Sequence, residues 1–177
     1  MTARTPGSED GDAGACPPQL LGDTTVTART ASWTALAVVA WLFAGCIVIQ
    51  VFLAGLGVFD SPQLFLTHRD FGYLFGWLSL VALLIAAIGR LPRRLIGLAG
   101  LTLVQMALQS VLILFRADAP ALAALHPVNG VLLLVTTLVL GRLAWRGPQT
   151  VASAAANAAT ATSAVNAANT ADRAGAL

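Results

Sequence analysis

Asp60-Ser-Pro62-Gln-Leu64-Phe-Leu-Thr-His68-Arg-Asp-Phe-Gly72 returns 58 residues later as Asp118-Ala-Pro120-Ala-Leu122-Ala-Ala-Leu-His126-Pro-Val-Asn-Gly130. The shared pattern is D-x-P-x-L-x3-H-x3-G. His68 and His126 are the only histidines in the chain, and each opens an apolar run. Two copies of one hairpin unit predict an all-α fold, a four-helix transmembrane bundle built from two repeated helical hairpins.

Working outward, composition agrees. The chain has 177 residues, 57% hydrophobic and 10% charged, with mean hydropathy +0.79. A soluble domain is closer to half apolar with about a quarter charged residues. A bilayer span needs about 20 apolar residues. Four such runs are present, roughly Ser32–Val58, Phe71–Gly89, Leu95–Phe115 and Ala119–Trp145. They define a transmembrane domain over 32–146. Residues 1–31, rich in Gly, Pro, Thr and Asp, read as a disordered tail. Residues 147–177 read as a low-complexity tail, with 13 Ala among the 27 residues from Val151 to Leu177. Interleaved Asn and Thr oppose helix there, so a frayed, partial helix is the most this tail is expected to form. Cys16 in the first tail and Cys46 in the first span are not expected to pair.

Arginine placement predicts the topology. With the N-terminus inside, the cytoplasmic segments hold eight of the ten arginines, and the outer loops hold only Arg69 and Arg116. The positive-inside rule then gives a multi-pass protein of the plasma membrane with both termini cytoplasmic. Spans two and four run in the same direction, so His68 and His126 share one face at similar depth.

Each copy of the unit carries helix-start signals. Asp or Ser can cap free backbone N–H groups, and Pro at the first turn loses no needed donor. Gly72 and Gly130 lie four residues beyond each His, on the same helical face, and leave space beside the ring. Two matched imidazoles suit a haem iron, which accepts axial His, so haem b with His68 and His126 as iron ligands is the expected cofactor. A structural zinc would want about four ligands, usually Cys or His. Copper would lack a nearby thiolate or Met. Arg69 and Arg116 can pair with the two haem propionates, or face lipid headgroups. Gln50, Gln105 and Gln109 cluster toward the same leaflet, as pocket lining or as interhelical hydrogen bonds. Asn129 can orient the His126 ring. Pro127 is expected to kink or restart the last helix just after His126.

Absences exclude other classes. No Asp, Glu or Lys lies inside the four apolar runs, where pumps and ion-coupled transporters place them. No catalytic constellation or phosphate-binding loop is present, and the chain reads as no enzyme on its own. Its partner is the lipid bilayer, with a homodimer or a redox partner conceivable, and no nucleic acid. A haem-free structural or accessory protein, with both His as interfacial anchors, is the alternative. A small-molecule or lipid carrier is a third.

His68-Arg-Asp-Phe-Gly-Tyr73 and His126-Pro-Val-Asn-Gly130 resemble an uncharacterised family of small bacterial four-helix membrane proteins, over about residues 33–146. More remotely, the plan is similar to one half of haem A synthase and to four-helix b-type cytochromes. That likeness implies axial haem ligation by His68 and His126. It does not extend to the synthase reaction, because the stretch 58–67 has no Cys and no Glu, and its only acid is Asp60.

Overall fold

The computed structural model describes residues 19–175, with side chains described over 29–150 and 152–166. The expected disorder of 1–18 and the surroundings of Cys16 lie outside the described residues. The chain forms α1 (Gln19–Phe59), α2 (Leu64–Ile88), α3 (Arg93–Leu114), a single turn α4 (Pro120–Ala123) and α5 (Leu125–Gly175). Four of these helices are long and apolar enough to cross a membrane, and this is the architecture of a multi-pass membrane protein.

α1 packs on α2 and α5, and α3 packs on α2 and α5. Within the bundle, α1 faces α3 and α2 faces α5 only across the diagonals. The large apolar side chains on the outside are what a bilayer requires: Leu74 is 72% exposed, Trp77 69% and Phe52 63%. In water such a surface would drive association.

The interior divides along its length. At the end that carries the α2–α3 turn, small residues bring the helices close: Ala37, Ala40, Ala82, Ala86, Ala99 and Ala144 are buried with Leu36, Leu91, Leu95 and Leu140. Glycines complete the approach. A Cβ on Gly147 would overlap the indole of Trp33, and one on Gly89 would lie 2.6 Å from Ser32 Cβ. Nearer the opposite end the core is aromatic, with Phe43, Ile47, Phe75 and Leu133 buried together and Phe71 packed against them. The Phe43 and Phe75 ring centroids are 5.5 Å apart.

α2 closes in a Schellman motif. The Arg90 N–H donates to Ala87 O and the Leu91 N–H to Ala86 O, at 3.1 and 3.0 Å. Arg90 takes the left-handed position, φ 48°, that glycine usually fills. Leu91 then drops into the core beside Ala86.

Several local expectations need correction. The acids do not cap. The residue preceding α2 is Gln63 and that preceding α4 is Ala119, neither with a side-chain cap bond, and Ser61 Oγ bonds Gln63 Oε1 instead. The fourth helix restarts before His126, at Ala124, and Pro127 lies in the first turn of α5. There its missing N–H costs no helical bond, and His126 itself is helical. The ends differ too. α1 already runs from Gln19, inside the stretch read as disordered, and α5 continues through Pro148 and the Ala-rich tail to Gly175.

Candidate functional site

The repeated unit contains a partner that its contiguous pattern does not show. Gln50 on α1 and His68 on α2 bond reciprocally. The Gln50 Nε2 amide donates to the His68 carbonyl at 2.7 Å, and His68 Nδ1 lies 3.0 Å from the Gln50 carbonyl. Gln109 on α3 and His126 on α5 do the same. His126 Nδ1 is 3.0 Å from the Gln109 carbonyl. With its amide turned to satisfy both ends, Gln109 donates to the His126 carbonyl at 2.8 Å and accepts from the Gly130 N–H at 3.1 Å. Each hairpin is thus clasped by one Gln–His pair.

The glycines explain themselves in this geometry. A Cβ on Gly72 would sit 2.9 Å from Gln50 Nε2, and one on Gly130 would sit 2.9 Å from the end of the Gln109 amide. The space four residues beyond each His is therefore occupied by a glutamine, which corrects the expectation of a cleared surface beside the ring. A one-residue difference in the Gln–His separation hides this relation. Gln50 precedes His68 by 18 residues and Gln109 precedes His126 by 17, so an ungapped repeat pairs Gln50 with Leu108.

The two hairpins bring their imidazoles together. α2 and α5 make no backbone approach to one another, yet the His68 and His126 ring centroids are 6.2 Å apart, with planes inclined at 62°. The rings reach across the bundle diagonal and meet between the helices. Both Nδ1 atoms face carbonyl oxygens, so both must carry the proton, and in each ring Nε2 is left as the acceptor. Beneath them, by helical register, lie Phe71, Phe75 and Ile47, the aromatic core. Phe65 stands edge-on to His68 at 6.3 Å, in space that Gly57 opens.

Other polar groups surround the pair. Asn129 is buried and its amide donates to the Gln105 carbonyl at 2.8 Å rather than to an imidazole. Gln50 Oε1 and Gln105 Oε1 are buried without a donor. The rings and these amides together leave several acceptors open. Arg69 is exposed and ion-paired with its neighbour Asp70 at 2.8 Å, and Arg116 is exposed in the turn after α3. Neither contacts the imidazoles. Among the described residues no group of three or more His, Cys, Asp or Glu could hold a metal ion. The sequence puts Gln50 and Gln109 toward the histidine end of their spans, but does not reveal their pairing with the histidines.

A shallow cavity of about 340 Å³ opens to the lipid-facing side between α2 and α3, with Gly72, Gly76 and Met106 in its lining. It begins one turn from His68.

Residues 50–117 match the model of a family of unknown function, DUF6220. The match begins at Gln50, includes His68, Gly72 and Gln109, and stops short of His126. No curated protein and no solved structure matches the chain. The remote likeness to haem A synthase therefore finds no support in these comparisons.

Proposed function

We propose that this membrane protein holds one b-type haem between α2 and α5, with His68 and His126 as the axial ligands, in electron transfer or haem handling. The observation that carries the reading is the facing pair of imidazoles, each with Nδ1 committed to a backbone carbonyl. That commitment fixes the tautomer, leaves Nε2 free and raises its basicity, as the outer-shell partners of metal-bound His do.

A metal–imidazole bond is about 2 Å and a ring centroid lies roughly 1 Å behind its nitrogen, so two imidazoles on one ion place their centroids about 6 Å apart. The observed 6.2 Å fits. Two protein ligands suffice only for an ion that brings its remaining ligands with it, as haem iron does. The aromatic core below supplies an apolar floor. When bound, the iron supplies one-electron chemistry. The chain's own part is to hold and orient: Gln50 and Gln109 lock each His backbone to the neighbouring helix, and Arg69 and Arg116 stand at the histidine end, where propionates could reach them.

The reciprocal bonds favour a second reading. Two Gln–His clasps that bond reciprocally across helices form without a cofactor, and would serve as structural ties. Purification from haem-replete cells separates the two. The haem reading expects a dithionite-reduced minus oxidised difference spectrum of b type, lost in His68→Ala and in His126→Ala. A folded, colourless wild-type protein leaves only the structural reading.

A further inference from the structure

At the end opposite the histidines the molecule carries a second feature, independent of any cofactor. Arg90, Arg93 and Arg94 in the α2–α3 turn, Arg142 and Arg146 on α5, and Arg29 on α1 are all exposed. Leu91 and Leu95 share one buried cluster with Ala144, so the turn arginines and the α5 arginines flank the same piece of core. Among the residues whose side chains are described, the acids are Asp60, Asp70 and Asp118, all at the histidine end. None of the six arginines forms an ion pair there; the ion pair found joins Arg69 to Asp70.

We propose that this arginine collar is a binding site for anionic phospholipid headgroups of the leaflet at that end. Three observations support it. Among the described side chains the charge is one-sided, with no acid at that end. Its depth is that of headgroups, because exposed Trp145 lies between Arg142 and Arg146 and indoles settle at the membrane interface. The turn also keeps a charged side chain at a conformational cost: Arg90 occupies a left-handed position that glycine would fill without strain, and such an outlier points to function. Guanidinium groups match phosphate oxygens with paired N–H donors. The interfacial depth favours a lipid over a soluble polyanion.

The test uses the full chain in a neutral detergent, titrated with phosphatidylglycerol or phosphatidylcholine and read by native mass spectrometry. Wild type is expected to retain phosphatidylglycerol in preference, and added salt should erase the preference, since exposed charges are screened. Arg142→Gln with Arg146→Gln should weaken retention at least about tenfold, at about 1 kcal/mol per arginine. Arg90→Gln with Arg93→Gln and Arg94→Gln should do the same. If a charge-removing variant fails to fold, the wild-type salt titration and Lys replacements, which keep the charge, decide the matter. Equal retention of the two lipids by wild type overturns the proposal, as does unchanged retention in both of the arginine-to-glutamine variants.

Discussion

Single atoms decide how closely these helices approach. Gly147 lets α5 lie against the Trp33 ring. Gly147→Ala is expected to destabilise the bundle by about 1–3 kcal/mol, the usual cost of overpacking, seen as a lower melting temperature in detergent. Gly72→Ala should be milder. Its methyl meets only the mobile end of Gln50, so Gln50 swings aside and gives up its bond to the His68 carbonyl, a loss of about 1 kcal/mol. Arg90→Gly should move the other way, because relieving a left-handed non-glycine residue stabilises by about 1 kcal/mol. A fall in melting temperature for Arg90→Gly would mean that the side chain holds the turn. The histidines were legible as residues because nothing else in the sequence repeats them. The glutamines were legible only as polar residues needing partners. Their separation from the histidines differs by one residue between the copies, and no fixed-offset comparison carries that difference.

At the scale of elements, the apolar runs gave the number and order of the spans, while the ends of the helices escaped. Span two was expected from Phe71, but α2 starts at Leu64, because Arg69 and Asp70 pair with each other at the exposed end and do not interrupt the helix. The Ala-rich tail was judged as an isolated peptide, for which nucleation is costly. Attached to a span already helical, it only has to propagate, and Ala propagates well. The described tail side chains, 152–166, are all exposed, so this part of α5 buries little against the other described residues. Removing residues 150–177 should therefore leave the stability of the bundle within about 0.5 kcal/mol. Circular dichroism should lose the corresponding helix, while the detergent melting transition stays in place. A large drop in that transition would reveal a packing role.

The whole molecule is two similar hairpins facing one another, each tied by a Gln–His clasp, with an alanine core at the arginine end and an aromatic core under the imidazoles. The cyclic order of helices puts α2 and α5 on a diagonal, and that order brings one histidine from each hairpin to a common centre. Composition and spacing established the membrane class and the shared depth of His68 and His126. Their distance was not legible, because it depends on how two hairpins pack, which no local pattern encodes. Adding ferric haem to the purified protein and recording electron paramagnetic resonance at low temperature tests the centre most directly. Ligation by both imidazoles gives one low-spin ferric signal at one haem per chain, turning high-spin or vanishing in His68→Ala and in His126→Ala. A wild-type protein that leaves the haem unbound, or a signal that survives both substitutions, contradicts it.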